Sequence, residues 1–191
     1  MADYLDLQGK VALVTGAGSR IGIGRAIARA FAARGAIVAA NDVVAKDLEQ
    51  TVTELHEAGA EASAHVADVA NRAAVSAMVN EVEKKHGRID VLVSNAGIAK
   101  RAPFASMSED EFRRTLDVNL GGAFNCARAV APGMIERRAG RIVSVSSLMG
   151  SQWGWPEHVH YNASKAAIEG LTTRRPPRKH RRSSADSSAR W

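Results

Sequence analysis

Residues 10–42 read KVALVTGAGSRIGIGRAIARAFAARGAIVAAND, and this stretch decides the fold. Residues 10–15 form an apolar run typical of a buried strand, and residues 37–41 form a second one. Between them, apolar side chains recur at helical spacing over residues 22–34, just after a glycine-rich turn. The stretch therefore predicts a β-α-β unit, in which the two strands lie parallel and the helix crosses between them.

The same alternation of strands and helices continues along the chain. The pattern predicts helices over residues 45–57, 71–85 and 158–171, and strands over residues 62–67, 90–94 and 141–146. A capping box of Ser108 and Glu111 starts a long helix towards residue 137, which we expect Pro132 to kink or break. We predict an α/β fold, a Rossmann-like doubly wound parallel sheet with strand order 3-2-1-4-5.

The composition is that of a globular protein, because 46% of the 191 residues are hydrophobic. No apolar run approaches the roughly 18 residues of a membrane span, and the start, MADYLDLQGK, lacks the pattern of an export signal. The single Cys126 cannot form a disulfide within the chain, which fits a reducing compartment. We expect a cytoplasmic protein without membrane contact, with Cys126 buried in a helix.

The positive charge is concentrated at the C-terminal end. Residues 174–191 carry seven basic side chains and one acid, a net charge of +6, which is also the net charge of the whole chain. Residues 1–173, the predicted domain, are therefore neutral overall. The tail has no apolar periodicity, and we predict that it is disordered. It could bind RNA, DNA or an anionic membrane, but a solvated charge run is the commoner explanation, so we do not expect a nucleic-acid partner.

The glycine-rich turn predicts a phosphate-binding loop, although its glycines do not fit the pattern G-x-G-x-x-G. Free backbone N–H groups at the start of the next helix attract a pyrophosphate, and glycine permits the close approach. The alternative is an ordinary strand-to-helix turn that uses glycine for tightness.

Asp42 ends the second predicted strand, where a carboxylate can accept hydrogen bonds from the adenosine ribose and repel a 2′-phosphate. Arg20 favours the opposite preference, since a guanidinium can pair with a 2′-phosphate. We give Asp42 more weight because the fold sets its place, and we predict NAD, with NADP possible. The alternative for Asp42 is that it caps the next turn.

Five motifs follow one another in order over residues 7–172. The first is the glycine-rich loop, and the other four are Asp68-Val69, Ser94-Asn95-Ala96-Gly97, Asn119, and Ser147 followed by Tyr161-x-x-x-Lys165. In this order they resemble the short-chain dehydrogenase/reductase family, whose glycine pattern is T-G-x-x-x-G-x-G. Thr15-Gly16 and Gly22-Ile23-Gly24 match that pattern with two extra residues between them. A second register, Gly18-x-x-x-Gly22-x-Gly24, keeps the spacing but lacks the threonine.

The resemblance implies an NAD(P)-dependent oxidoreductase that interconverts a secondary alcohol and a ketone, like 3-oxoacyl-carrier-protein reductases or glucose 1-dehydrogenases. Tyr161 is then the general acid/base, Lys165 favours the phenolate and binds the nicotinamide ribose, Ser147 hydrogen-bonds the carbonyl and Asn119 supports a proton-relay water. No metal is implied. The implied cofactor-binding residues are Gly16, Gly18, Ser19, Arg20, Gly22, Ile23, Gly24, Asp42, Asp68, Val69, Asn95, Ala96, Gly97, Tyr161 and Lys165.

The resemblance ends near residue 172, where the family continues with two further strands and a segment that covers the substrate. We therefore expect a C-terminally shortened or frame-shifted member, with the last two strands missing and the fifth strand left as an open edge. The alternative is a catalytically impaired remnant that only binds the nucleotide. Family members are commonly homo-oligomers. Trp153, Trp155, His158 and His160 are expected to line the substrate pocket.

Overall fold

A computed structural model describes residues 7–172 and contains a parallel sheet of five strands in the order β3-β2-β1-β4-β5, as predicted. The strands are β1 (Val11–Thr15), β2 (Ile37–Asp42), β3 (Ala62–Val66), β4 (Val91–Ser94) and β5 (Arg141–Ser144). The α-helices are α1 (Ile23–Ala32), α2 (Ala45–Glu57), α3 (Arg72–His86), α4 (Glu109–Leu116), α5 (Gly122–Glu136) and α6 (Val159–Thr172). None of the helices in this part of the chain is long and apolar enough to cross a bilayer.

Both faces of the sheet are covered, because consecutive side chains of β1 pack into two different clusters. Leu13 joins the cluster that α3 and α5 complete, whereas Val14 joins the cluster that α1 and α2 complete. Cys126 of α5 lies in the first cluster and is 1% exposed, as predicted. Burial raises the pKa of its thiol to about 12, so this cysteine is an unreactive core residue.

The long helix predicted after Ser108 is two helices joined by a π-helical turn, Asp117–Gly121. Its start is confirmed, because Ser108 Oγ accepts the N–H of Glu111 at 3.2 Å in a capping box. Of the kink or break expected at Pro132, the break is wrong, since α5 continues through the proline, and the kink stays a prediction. A proline removes a single helical hydrogen bond, and the packing of α5 against α3 and the sheet outweighs that loss.

Strand β5 is an edge of the sheet within residues 7–172, where it pairs with β4 alone. Its consecutive side chains Ile142 and Val143, which point to opposite faces, are 41% and 50% exposed. The open apolar edge expected from the sequence is therefore present in the described part of the chain. The predicted disorder of residues 174–191 lies outside the described residues.

A buried serine links two histidines at the edge formed by β3 and α3. Ser63 Oγ lies 2.9 Å from Nε2 of His65 and 3.2 Å from Nε2 of His86. Burial lowers the pKa of both imidazoles below the ordinary value of 6.5, although Glu81 and Glu61 oppose the shift. The unfolded chain binds more protons than the folded chain below that value, so the free energy of unfolding should fall as pH decreases through 6.5.

Urea unfolding at about pH 7.5 and about pH 5.5 measures this dependence. We expect His65→Gln to flatten it, because the substituted chain loses one of the two buried titrating groups. His56→Gln, at an exposed histidine of α2, is the control and should keep the wild-type slope. Equal slopes for wild type and His65→Gln would contradict the assignment.

Candidate active site

The carboxyl ends of β1 and β4 are tied together by two polar side chains. Thr15 Oγ1 accepts the N–H groups of Asn95 at 3.0 Å and Ala96 at 3.1 Å, and Asn95 Nδ2 donates to the Thr15 carbonyl at 2.9 Å. Gly16 follows with a φ of +67°, and a Cβ there would lie 2.8 Å from the Ala96 Cα. Only glycine fits this crossing, so the loop and the Asn95-Ala96-Gly97 turn form one backbone surface.

Asp42 lies against the glycine-rich loop and also caps the turn that follows β2. Its Oδ2 accepts the N–H of Gly18 at 2.8 Å, while its Oδ1 accepts those of Val43 at 2.8 Å and Val44 at 3.1 Å. A Cβ at Gly18 would lie 2.9 Å from Oδ2, which explains glycine at this position. Asp42 therefore caps the turn, as the alternative held, and its carboxylate also lies beside the glycine-rich loop.

A cavity of about 220 Å³ opens beside these groups, along the ends of β1, β2 and β4. Six of its lining residues were predicted to bind the cofactor, and they are Gly16, Asp42, Asp68, Val69, Ala96 and Gly97. Sequence reasoning missed the other six, which are Asn41, Val43, Ala67, Ile98, Arg114 and Val118. The cavity lies between β1 and β4, where the strand order reverses, and such a crevice is the usual ligand site of a doubly wound sheet.

The other half of the glycine-rich loop lies outside this cavity. Ser19, Arg20 and Ile23 are exposed, and the loop turns outward where the N–H of Gly22 donates to the Ser19 carbonyl at 3.0 Å. Gly24 is buried at the crossing, where a Cβ would overlap the Gly16 carbonyl oxygen. The cofactor contacts predicted for Ser19, Arg20, Gly22 and Ile23 stay predictions.

Asn119 lies in the π-helical turn, and its buried side-chain amide faces the segment after β4 and helix α6. Its Nδ2 donates to the Ile98 carbonyl at 3.0 Å and to Ser164 Oγ at 2.9 Å, and its Oδ1 accepts the Ile98 N–H at 2.8 Å. The amide therefore fixes the segment after β4 to α6. With its hydrogen-bonding groups engaged, the side chain acts as a clamp that holds these elements together.

Lys165 is 5% exposed and lies close to Gly97, which lines the cavity. Its Nζ donates to the Val145 carbonyl at 2.7 Å, and a Cβ at Gly97 would lie 3.7 Å from Nζ. The same Nζ is 5.7 Å from the centroid of the Tyr161 ring, which is one helical turn earlier on α6. Burial lowers the pKa of the Lys165 ammonium. The structure thus brings Lys165 and Tyr161 together beside Gly97.

The segment between Ser147 and Tyr161 forms an aromatic surface. Ser147 Oγ accepts the N–H of Met149 at 3.1 Å in a local turn. Trp155 stacks on His158 with ring centroids 3.9 Å apart and meets the Tyr161 ring edge-on at 6.2 Å.

The expected place of His160 in the same wall is wrong. This residue is fully buried and lines a separate cavity of about 260 Å³ with residues of α4. Neighbours on a helix are about 100° apart around the axis, so His160 and Tyr161 face different surroundings.

Comparisons with known proteins agree with this geometry. The family model described as "short chain dehydrogenase" matches residues 10–175. The chain is 42% identical to the 3-oxoacyl-[acyl-carrier-protein] reductase FabG of Thermotoga maritima, and the match covers 87% of this chain and 66% of the relative. It is 43% identical to the oxidoreductase UcpA of Escherichia coli K12, with 87% and 62% covered.

A solved structure of NAD+-bound xylitol dehydrogenase superimposes with a TM-score of 0.82 at 40% identity. That match covers 87% of this chain and 63% of the xylitol dehydrogenase chain. The chain thus spans just under two thirds of the length of each of these three proteins.

Proposed function

The chain belongs to the short-chain dehydrogenase family, and from that premise we propose that it is an oxidoreductase that transfers hydride between NAD and a secondary alcohol or ketone. One observation carries the proposal. The cavity at the reversal of strand order gathers six of the predicted cofactor-binding residues, including Gly97. Lys165 Nζ lies close to Gly97, and the Tyr161 ring lies 5.7 Å from that Nζ.

The residues fit a dinucleotide. Gly16 and Gly18 hold positions where a Cβ would meet Ala96 and Asp42, so the loop packs closely against the ends of β4 and β2. The loop leads into the start of α1, and the N-terminus of a helix attracts a phosphate. A bound nicotinamide supplies or accepts the hydride. Tyr161 takes the hydroxyl proton from the alcohol, or returns it to the ketone oxygen, and the Lys165 ammonium favours the phenolate. Asn119 holds α6 and the segment after β4 in the geometry that these steps need.

Asp42 supports NAD as the preferred cofactor, because its carboxylate lines the cavity where a 2′-phosphate would otherwise lie. Arg20 is exposed and is not among the residues that line the cavity, so it offers that phosphate no fixed partner there.

Asp42→Asn should shift the ratio of NADPH to NADH binding towards NADPH by about 5-fold, since the repulsion between the carboxylate and the 2′-phosphate is worth about 1 kcal/mol. The asparagine amide oxygen can still accept the backbone N–H hydrogen bonds made by one of the two carboxylate oxygens. Fluorescence titration with both cofactors measures the ratio. Asp47→Asn, at the first turn of α2, is the control and should leave the ratio unchanged. An unchanged ratio in Asp42→Asn would contradict the role of the carboxylate.

The experiment that tests the function is hydride transfer followed by NADH absorbance. We propose two substrate classes, 3-oxoacyl thioesters and polyols or sugars, because similar proteins carry the names 3-oxoacyl-carrier-protein reductase and xylitol dehydrogenase. Turnover with one class and not the other assigns it. Turnover with neither, together with no cofactor binding, would overturn the proposal.

A second candidate function is nucleotide binding without turnover. The exposed Ile142 and Val143 favour it, since the β5 edge lacks a covering element in residues 7–172, whereas the predicted adenosine-binding residues line a formed cavity. NAD binding without hydride transfer would select this function.

We also propose a cytoplasmic homo-oligomer. Half-exposed Phe124 of α5 and Leu171 of α6 support contacts between subunits through these helices. Sedimentation velocity tests the assembly, and a monomer at all concentrations would refute it.

A further inference from the structure

Arg114 of α4 reaches the segment after β3 and closes one wall of the 220 Å³ cavity. Its Nη2 lies 3.0 Å from Asp68 Oδ2, so an ion pair joins two elements that are distant in sequence. Both side chains line the cavity, and they remain 53% and 34% exposed. The pair is therefore open to a ligand and does not serve only to fill the interior.

Two donors hold the Asp68 carboxylate from different sides. Oδ1 accepts the N–H of Ala70 at 2.9 Å, and Oδ2 accepts from the guanidinium of Arg114. Each carboxylate oxygen has two acceptor positions, so lone pairs remain available in a fixed orientation. Without Arg114, the single local contact with Ala70 would leave Oδ2 free to turn towards water.

A fixed carboxylate selects among nucleotide bases. It accepts a hydrogen bond from the exocyclic amino group of adenine, but it repels the carbonyl oxygen that hypoxanthine carries at the same place. The family resemblance already implies that Asp68 contacts the adenine. Building on the proposed function, we propose that Arg114 is a positioning residue, which fixes Asp68 in the orientation that recognises the adenine amino group. Arg114 thereby makes the cavity selective for adenine dinucleotides.

The test compares NAD with nicotinamide hypoxanthine dinucleotide in calorimetric titrations of the full chain. We expect wild type to prefer NAD, and Arg114→Met to lose about 10-fold in NAD affinity with little change for the hypoxanthine analogue. Arg114→Lys should retain part of the preference. The control is Arg113→Met, which removes the same charge at a side chain that pairs with Glu109 instead.

The ratio of the two affinities is the decisive quantity, because general damage to the cavity would weaken both ligands alike. An unchanged ratio in Arg114→Met would overturn the inference. Asp68→Asn is a second variant, in which an amide donor at this position should erase the preference for NAD; a retained preference would also overturn it. Failure of wild type to bind either dinucleotide would instead overturn the proposed nucleotide site, and the inference with it.

Discussion

Tyr161→Phe is expected to lower kcat by about 10²–10⁴-fold, the range that a general acid or base contributes. The substitution removes only the hydroxyl group, and the ring keeps its edge-on contact with Trp155. Lys165 keeps its hydrogen bond to the Val145 carbonyl, which does not involve the tyrosine. Cofactor affinity should therefore change by less than about 3-fold, well below 1 kcal/mol. Steady-state kinetics and NADH titration measure the two quantities.

Trp153→Phe is the control for this prediction, since Trp153 is a largely exposed aromatic residue of the same segment. It should retain most of the wild-type kcat. Lys165→Met should lose activity as severely as Tyr161→Phe, because the phenolate then lacks its neighbouring ammonium. A Tyr161→Phe variant with more than about a tenth of the wild-type kcat would show that another group transfers the proton.

The order of strands was predictable because the β-α-β pattern leaves few topologies open. The sequence of residues 10–42 already requires β1 and β2 to be parallel, and each later strand follows a helix long enough to cross the sheet. The cavity could also be placed, since polar residues that end parallel strands meet at one edge. Asp42, the last residue of β2, and Asp68, which follows β3, both line it.

Contacts between elements that are distant in sequence were harder to predict. Arg114 belongs to an amphipathic helix in which two adjacent arginines look alike, yet one pairs with Glu109 and the other with Asp68. Only the packing of α4 separates these roles. The same limit explains why the break expected at Pro132 is absent. Proline breaks many helices, but the burial of α5 keeps this helix continuous. His160 could not be separated from Tyr161 until the surroundings of α6 were known.

Gly24→Ala is expected to reduce NAD affinity by more than about 100-fold and the free energy of unfolding by about 1–3 kcal/mol, the usual cost of overpacking. A Cβ at Gly24 would overlap the Gly16 carbonyl oxygen and lie 2.5 Å from Asn95 Nδ2. Asn95 Nδ2 donates to the Thr15 and Gly16 carbonyls, so the added methyl group presses on the contacts that join β1 to β4. Either the loop or α1 must move, and both form the predicted phosphate site.

Gly170→Ala provides the matched control, because it makes the same chemical change in α6 where a Cβ would meet nothing within 4 Å. That variant should keep wild-type affinity and gain up to about 1 kcal/mol, since alanine favours helices over glycine. Urea unfolding and NAD titration of both variants measure the two effects. If Gly24→Ala bound NAD as tightly as Gly170→Ala, the close packing of Gly24 against Gly16 and Asn95 would not be needed to hold the cofactor loop in place.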